Sequence, residues 1–391
     1  MSNKPEDICP RPDFLPPQPT EPMAPPLYTA AVYRCRDTAQ AEALLSGDSE
    51  GYVYVRDGHP NADLLAEKCR QLHAADRATI CSSGMAALAA AALAHLAAGD
   101  QVIVSSQMYG RSLTLFSGEL PRLGITATAV DTCDLRATRA ACTPAAKLLL
   151  AETITNPLLR VSDITALAEV AHDAGALLLV DNTFAGPLVC RPLELGADLA
   201  MESLTKTMSG HSDVLLGLLC GREATWSRVP TAVATWGLSS APFDCWLASR
   251  GLGTMALRVE RAVANALVAA EYLQTRPEVS QALYPGLADH PDHALARKQF
   301  GGRFGTIVTF TLRGGRPAVD AFISGAKNIP FSPSLGDLCT TLSHPETTSH
   351  RGLSAAERAA LGIQGGTVRL SVGIESSQAI LEAIATGLAA V

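Results

Sequence analysis

The sequence predicts an α/β protein with a large, mostly parallel sheet that is covered by helices on both faces. From residue 60 onward, short apolar segments that end at a turn or a glycine alternate with helical segments. The apolar segments are continuous, as is typical of parallel strands buried on both faces. At 391 residues, of which 47% are hydrophobic, the chain is long enough for this core and a smaller second unit.

Seven segments are predicted as strands of the large sheet. The seventh, 214–220, follows the sixth too closely for a helical crossover, so we expect it to run antiparallel. A helix is predicted between the fourth and fifth strands, with Ser162 or Asp163 as its N-cap and Gly175 at its end. The first six strands are 78–81, 101–104, 125–130, 147–151, 176–180 and 199–201.

The C-terminal part predicts a second, smaller α/β domain. A long helical region, about 243–275, leads to two further predicted strands, 304–312 and 368–372. We place an extended N-terminal arm at 1–55, a large ligand-binding domain at 56–250 and a small domain at 251–391. Residues 1–30 contain nine prolines and few core-type residues, which favours an extended arm.

Composition and charge argue against several classes of protein. The formal net charge is −7 and no basic run occurs, so a nucleic-acid partner is not expected. The longest apolar segment, 85–98, falls short of the roughly 20 residues of a membrane span and predicts a buried helix. The ten cysteines form no Cys-x-x-Cys pair, which is typical of reduced thiols. We therefore expect a cytoplasmic protein without membrane contact, since the N-terminus also has no signal-peptide pattern.

Polar residues follow three consecutive predicted strands. In open parallel sheets, ligands bind at this edge, beyond the carboxyl ends of the strands. The convergence of three strand ends therefore predicts a site in one crevice. These residues are Glu152, Thr153 and Asn156 after the fourth strand, Asp181, Asn182 and Thr183 after the fifth, and Ser203, Thr205 and Lys206 after the sixth.

Lys206 decides the predicted chemistry. A lysine after a strand is usually a solvated surface residue. Here Ser203 and Thr205 place beside it hydroxyl groups that suit a phosphate, and Gly210 permits close backbone approach. These neighbours favour a Schiff-base lysine, which needs a depressed pKa that burial can supply.

Asp181 has two interpretations. A strand-end aspartate often caps the next helix, but a buried carboxylate can instead keep a pyridinium nitrogen protonated. We favour the second because Asp181 and Lys206 occur at adjacent strand ends, and we therefore predict pyridoxal 5′-phosphate (PLP) as the cofactor of domain 56–250. A metal is not predicted, because His211 and Asp213 have no third ligand at a recognisable spacing.

Three weaker candidates each have a plainer interpretation. The segment 82–85, Ser-Ser-Gly-Met, precedes a helix and fits an anion site, but it also fits an ordinary helix cap. Tyr109 fits a ring that stacks on a planar cofactor, or a loop tyrosine. Tyr54 and Arg56 fit a phosphate contact, although an arginine before a turn is commonly solvated.

These residues belong to a longer series of motifs that resembles the PLP-dependent enzymes of cysteine and methionine metabolism. The resemblance runs from about Pro25 to Ile374, which is nearly the whole chain. The motifs are Tyr54-Val55-Arg56, Ser82-Ser83-Gly84-Met85, Tyr109-Gly110, Glu152-Thr153 with Asn156-Pro157, Asp181-Asn182-Thr183-Phe184, Ser203-x-Thr205-Lys206, Gly210-His211-x-Asp213, Arg250-Gly251-Leu252, Tyr284-Pro285-Gly286-Leu287, Ser334-Leu335-Gly336, Ser343-His344-Pro345 and Arg369-Leu370-Ser371-Val372-Gly373.

The resemblance implies the PLP-dependent aminotransferase-like fold (fold type I) and a homotetramer made of two dimers. It implies that Lys206 and Tyr109 are catalytic, and that Arg369 binds the α-carboxylate of an amino-acid substrate with help from Asn156 and Ser334. Tyr54 and Arg56 would reach the phosphate from the dimer partner. The implied cofactor-binding residues are Tyr54, Arg56, Ser83, Gly84, Met85, Tyr109, Asp181, Thr183, Ser203, Thr205 and Lys206.

The reaction implied by the resemblance is γ-elimination or γ-replacement on sulfur amino acids or O-acylhomoserines. Two alternatives remain: β-elimination, as in cystathionine β-lyase, and a non-catalytic binding protein that retains the fold. Phe184 favours γ-chemistry, because β-lyases often carry tryptophan there.

Several positions depart from the family pattern and bear on the substrate. His59-Pro60-Asn61 replaces the usual Asn-Pro-Thr. Arg111 follows Tyr109-Gly110, where it either binds a distal carboxylate of the substrate or faces solvent or an interface. Pro333 stands where cystathionine γ-lyases tend to carry glutamate, which counts against a strict γ-lyase of that kind. Glu346 replaces the usual alanine and adds a charge beside the substrate loop.

Overall fold

The large sheet has seven strands and contains the predicted antiparallel exception. The computed structural model describes residue 20 and residues 22–391. The strand order is β1-β7-β6-β5-β4-β2-β3. Strand β7 runs antiparallel to the other six strands, which all run in one direction. The strands are β1 (Arg77–Cys81), β2 (Gln101–Ser105), β3 (Thr126–Val130), β4 (Ala146–Glu152), β5 (Leu177–Asp181), β6 (Leu199–Ser203) and β7 (Gly217–Gly221).

Both faces of this sheet are buried, as the continuous apolar strands predict. Successive residues of β4 enter opposite cores: Leu148 and Leu150 pack on one side, whereas Leu149 packs on the other. The helices of this part are α1 (Thr38–Ser46), α2 (Pro60–Leu72), α3 (Gly84–His95), α4 (Gly110–Thr114), α5 (Leu135–Ala141), α6 (Ile164–Asp173), α7 (Val229–Thr235), α8 (Pro242–Leu252) and α9 (Met255–Gln274).

A second, antiparallel sheet follows α9 and has its own apolar core. Its order is β10-β11-β9-β8, and β8 and β10 were not predicted because their short segments lack a clear apolar run. The elements are β8 (Val279–Leu283), α10 (His293–Phe300), β9 (Ile307–Leu312), α11 (Arg316–Gly325), β10 (Thr341–Ser343), α12 (Ala355–Ala360), β11 (Thr367–Ser371) and α13 (Ser377–Leu388).

Of the two predicted N-caps of α6, the structure has Asp163, whose Oδ1 accepts a hydrogen bond from Ala166 N at 3.1 Å. Two other local predictions need correction. The predicted helix over 243–275 is two helices, because the helical conformation is interrupted between Leu252 and Met255. Strand β7 begins at Gly217 instead of residue 214.

The two boundaries between the three predicted segments stay a prediction, and most of the Pro-rich segment 1–30 lies outside the described residues. The described end of that segment is held by side chains of the large sheet's helices. Asn61 accepts from Tyr28 N and donates to Pro26 O, each at 2.9 Å, and Trp246 donates to Pro25 O. Across residue 20 and 22–391, no helix has the length and apolarity to cross a membrane.

Candidate active site

The predicted strand-end residues lie together at one edge of the large sheet. Glu152, Asp181 and Ser203 are the last residues of β4, β5 and β6. In the parallel pairing of β4 with β5, Glu152 lies directly opposite Asp181. The parallel register therefore brings two carboxyl groups and the loop that carries Lys206 to the same edge.

Lys206 is largely buried and faces a segment of the C-terminal part. Its Nζ donates to Ser334 Oγ at 2.9 Å. Burial, and then the charge of Arg369, lowers the pKa of the Lys206 ammonium. A lowered pKa increases the fraction of free amine near neutral pH, which is the nucleophilic form.

Arg369 lies in the centre of the small sheet's strand β11 and is only 4% exposed. Its Nη1 donates to Asn156 Oδ1 at 2.9 Å and its Nη2 donates to Ser334 O at 3.1 Å. Its Nε is buried and has no hydrogen-bond partner among the described residues. Burial lowers the pKa of Arg369 to about 10, so the guanidinium remains charged at neutral pH. The site thus holds a buried cation whose Nε donor is unused.

Asp181 is buried, and burial raises the pKa of its carboxyl group. Its Oδ1 accepts from Thr183 N at 3.0 Å, and Thr183 Oγ1 in turn accepts from Ser203 N at 3.0 Å. Within the described chain, Asp181 forms no ion pair with a basic side chain. A buried carboxylate without a cation favours a partner that carries a positive charge or a proton.

Glu152 has a role that its position at a strand end did not reveal. It is 5% exposed, and its Oε1 and Oε2 accept from the backbone N–H groups of Tyr109 and Asn156 at 2.8 and 3.0 Å. Burial, and then the nearby Asp181, raises the pKa of Glu152. Glu152 therefore fixes the two loops that carry Tyr109 and Asn156.

The segment 82–85 begins helix α3, and both interpretations of it have a structural basis. Ser83 is the N-cap, because its Oγ accepts from Ala86 N at 3.0 Å. The first turn has no acidic residue, so the positive end of the helix dipole is not neutralised locally. Gly84 and its neighbour Met85 open the helix, and a Cβ on Gly84 would lie 3.1 Å from Ser203 Cβ, so glycine brings α3 and β6 close together.

Thr205, predicted to contact a phosphate, also has hydrogen-bond partners within the chain. Its Oγ1 accepts from Leu216 N at 3.1 Å and donates to Leu216 O at 3.3 Å. The hydroxyl thus bridges the lysine loop to the residue before β7 and has one lone pair left for another donor.

The remaining predicted residues lie on the surface of the single chain. Tyr109 directly precedes α4, and Tyr109 and Tyr54 are each 41% exposed. The Arg56 guanidinium stacks 5.0 Å from the centre of the Tyr54 ring. Arg111 is exposed in the first turn of α4 and has no ion pair or side-chain hydrogen bond among the described residues.

Two of the positions that depart from the family pattern differ in their environment. Pro333 is exposed next to Ser334. Glu346 is paired: its Oε1 lies 3.5 Å from Arg358 Nη2. The added charge of Glu346 is therefore partly compensated within the chain.

With this geometry in view, the match to known proteins covers almost the whole chain. A family model described as Cys/Met metabolism PLP-dependent enzyme matches residues 13–389. The chain belongs to this family. The predicted resemblance is thereby confirmed, and the protein is a PLP-dependent enzyme of trans-sulfuration. The alternative of a non-catalytic binding protein is not supported.

Relatives within the family carry out different reactions. The chain is 39% identical to an O-succinylhomoserine sulfhydrylase of Pseudomonas aeruginosa over 93% of this chain and 90% of the relative. It is 39% identical to a chloroplastic cystathionine β-lyase of Arabidopsis thaliana over 91% of this chain and 75% of the relative. The crystal structure of cystathionine γ-synthase from Xanthomonas oryzae pv. oryzae, in complex with cystathionine, superposes with a TM-score of 0.89 at 36% identity, covering 94% of this chain and 92% of that one. The fold class is therefore confirmed.

The site fits the family's cofactor on the evidence of its own groups. A buried amine of lowered pKa, a buried carboxylate without a cation and the free N-terminus of α3 occupy one edge of the sheet. These groups match the aldehyde, the pyridine nitrogen and the phosphate of PLP, respectively.

Proposed function

We propose that this enzyme catalyses γ-elimination or γ-replacement on a sulfur amino acid or an O-acylhomoserine, with PLP held at Lys206. The observation that carries the proposal is the double role of Ser334. Its Oγ accepts from Lys206 Nζ, and its backbone oxygen accepts from Arg369 Nη2. A reactive amine and a carboxylate receptor are thereby held on either side of one residue, which is the arrangement that an α-amino acid needs.

The proposed cofactor contacts follow from the groups available. Lys206 would bind the aldehyde carbon, Asp181 the pyridine nitrogen, and Tyr109 the face of the ring. When bound, PLP supplies the electron sink that stabilises negative charge at the substrate carbons. The phosphate would be held by Ser83, Gly84, Met85, Thr183, Ser203 and Thr205, and by Tyr54 and Arg56 from a partner subunit.

The proposed substrate contacts use the buried guanidinium. Arg369 would bind the α-carboxylate, with its unpartnered Nε and one further N–H as paired donors, and Asn156 would orient it. Lys206, as the free amine, would take the proton from Cα and return it at another carbon. The Tyr109 hydroxyl would assist departure of the leaving group. Glu152 would keep Tyr109 and Asn156 at their distances from the substrate.

The first experiment is the visible absorption spectrum of the purified protein. We expect a band from PLP bound to Lys206 that is lost in Lys206→Ala and retained in Lys147→Ala, an exposed lysine on β4. Wild-type protein without colour or bound cofactor would contradict the proposal.

The acyl group is a further part of the proposal. We propose a substrate with a distal carboxylate, such as a succinyl ester of homoserine. The exposed and unpaired guanidinium of Arg111 supports this, and one relative is an O-succinylhomoserine sulfhydrylase. In Arg111→Ala we expect KM for O-succinylhomoserine to rise about fivefold, since an exposed charge pair contributes about 1 kcal/mol. The KM for O-acetylhomoserine, which has no distal charge, should stay the same, and an equal change for both esters would show that Arg111 does not select the acyl group.

A second candidate is β-elimination, which is favoured by the 39% identity to a cystathionine β-lyase. The product formed from cystathionine distinguishes the two reactions. Cleavage on the γ side yields 2-oxobutyrate, whereas cleavage on the β side yields pyruvate, and each keto acid can be identified by mass spectrometry.

The proposed assembly is a homotetramer of two dimers. The exposed side chains of Tyr54 and Arg56 support it, because they need a partner to become part of a cofactor site. Light scattering after size-exclusion chromatography measures the molecular mass of the assembly. A monomer that retains full activity would contradict the proposed tetramer.

A further inference from the structure

Arg258, in the first turn of α9, contacts the loop that carries Lys206. It is 7% exposed. Its Nη1 donates to Thr207 O at 2.8 Å, and its Nη2 donates to Met208 O at 3.0 Å and to Gly251 O at 2.9 Å. Its Nε donates to Thr254 Oγ1 at 3.1 Å. One guanidinium thus holds two consecutive carbonyls of the lysine loop and the end of α8.

The charge of Arg258 is compensated in an unusual way. Within the described chain it forms no ion pair, and its hydrogen-bond acceptors are three carbonyls and one hydroxyl. Burial lowers the pKa of this guanidinium. A buried cation without an anion costs stability, whereas an apolar side chain could fill the same space. Packing alone therefore does not explain an arginine at this position.

Two glycines make the close approach possible. A Cβ on Gly210, whose φ is +74°, would collide with the Arg258 guanidinium. Gly251 likewise has no Cβ where one would collide with Ser209 O. Both glycines lie at the contact between the lysine loop and the helices α8 and α9, where a side chain would prevent the close approach. The loop is therefore fitted to the guanidinium and not merely adjacent to it.

The other side of the loop is also fixed. A Cβ on Gly336 would collide with Thr207 N, and Lys206 Nζ donates to Ser334 Oγ two residues earlier. The loop closes on itself through Gly210 N to Lys206 O at 2.9 Å. The direction of the Lys206 side chain thus depends on a turn that lies between Gly336 and Arg258.

We propose that Arg258 is a positioning residue for Lys206. By holding the carbonyls of Thr207 and Met208, it keeps the turn in the form that directs Nζ toward Ser334 and keeps the amine buried. This inference rests on the proposed function, because it assumes that Lys206 binds PLP.

The test compares Arg258→Gln with Arg261→Gln in the full-length, PLP-loaded protein. Arg261 is the matched control: it lies on the same helix, is exposed, and also donates to a backbone carbonyl, Glu375 O, at 3.3 Å. Arg258→Lys keeps the charge but loses the fork of donors. Should Arg258→Gln fail to fold, Thr254→Val removes the acceptor of Nε and leaves the guanidinium in place.

Three readouts are measured. The first is backbone hydrogen exchange of the peptide that covers 204–212. The second is the dissociation rate of PLP. The third is the pH midpoint of the visible band, which reports the environment of the Lys206 nitrogen and does not respond to global stability alone. When the hydrogen bonds from Arg258 to the lysine loop are lost, water reaches the Lys206 nitrogen and favours its charged form. We therefore expect the pH midpoint of the band to move upward in Arg258→Gln.

In Arg258→Gln, exchange of 204–212 and release of PLP should each rise about tenfold, as expected when hydrogen bonds of a charged group are lost. Arg258→Lys should lie between wild type and Arg258→Gln, and Arg261→Gln should match wild type. An unchanged band midpoint and unchanged PLP release in folded Arg258→Gln would overturn the inference while leaving the proposed function intact. A wild type that does not load PLP on Lys206 would overturn both.

Discussion

At the scale of single residues, the candidate site is governed by buried charges that lack a full set of partners. Arg369 is buried, Lys206 and Asp181 are largely buried, and none has an ion-pair partner among the described residues. Such groups cost stability in the free protein. The cost is offset when an ion of opposite charge binds, which explains how a small amino acid can be recognised by few contacts.

Arg369→Lys tests the carboxylate receptor. Lysine keeps the positive charge but lacks the planar fork that can bond Asn156, Ser334 and both oxygens of a carboxylate, so we expect KM to rise about 10- to 100-fold while PLP remains bound. Steady-state kinetics with a visible spectrum of each sample measures both quantities. Arg313→Lys, an exposed arginine that donates to Pro277 O, serves as the control and should behave like wild type.

Glu152→Gln tests whether Glu152 holds the loops of Tyr109 and Asn156 together. Both carboxylate oxygens accept backbone N–H groups, and an amide offers one oxygen only, so its NH₂ group would face a donor. We expect a loss of about 1–3 kcal/mol in unfolding free energy and a fall in kcat. Denaturant unfolding and steady-state kinetics are the measurements. An unfolding midpoint equal to that of wild type would show that Glu152 does not hold these loops.

At the scale of helices and strands, glycines set the distance between α3 and the sheet. Gly217, the first residue of β7, lies against the backbone oxygen of Ser83, so that any Cβ there would collide with it. The N-terminus of α3 can approach Ser203 because of this glycine and because of Gly84. The geometry of the proposed phosphate site therefore depends on residues that do not contact the phosphate.

Gly217→Ala tests this dependence. A methyl group would push the Ser83 carbonyl away and displace the first turn of α3, at a cost of about 1–3 kcal/mol. We expect weaker PLP binding, measured by equilibrium dialysis. Gly352→Ala is the control, because no atom lies within 4 Å of its Cβ position and its φ is not in the left-handed region. Equal PLP affinity in both variants would contradict the expectation.

The sequence predicted the elements that have long apolar runs and missed those that do not. All seven strands of the large sheet were found, including the direction of β7. Strands β2, β4, β5, β6 and β7 are mostly buried, whereas the edge strands β1 and β3 are only partly buried. Strand β10 has three residues, and β8 has exposed residues at Ser280 and Gln281, so neither shows an apolar pattern. The break between α8 and α9 was missed because the apolar spacing continues across it.

The same limit applies to the site. Lys206 and Asp181 could be predicted, since both lie within a few residues of strand ends. The hydrogen bonds from Arg258 to Thr207 and Met208, and from Tyr109 to Glu152, join segments that are distant in sequence, and no local pattern records them. Gly210 was the one signal for Arg258: the sequence predicts that it permits close backbone approach near Lys206, and the group that approaches is the Arg258 guanidinium.

At the scale of the whole molecule, an ion pair joins the loop after β4 to the segment before α10. Arg160 Nε donates to Asp292 Oδ2 at 2.6 Å, and Nη2 donates to Oδ1 at 3.1 Å. Asp292 Oδ2 also accepts from Val161 N at 3.0 Å. Burial is the largest single influence on Asp292 and opposes its ionisation. The hydrogen bonds from Arg160 and Val161, together with the charge of Arg160, outweigh burial and lower the pKa of the carboxyl group.

Asp292→Asn should therefore destabilise the protein in a way that depends on pH. A carboxyl group whose pKa is lower in the folded state stabilises it above the unfolded pKa, and this stabilisation is lost as the pH falls through the folded pKa. We expect a lower Tm for Asp292→Asn at pH 7 and a smaller difference below about pH 4, near the ordinary pKa of aspartate. Thermal unfolding across this range is the measurement, and a difference that stays constant with pH would contradict it.

The position of Arg369 on β11 also bears on biosynthesis. Translation produces Lys206 and all seven strands of the large sheet well before it reaches residue 369. A growing chain can therefore possess the amine and the sheet edge while the receptor for the substrate carboxylate does not yet exist. Under the proposed role of Arg369, selective recognition of amino acids is acquired only at the end of synthesis, when β11 pairs with β9 and brings its arginine to Ser334.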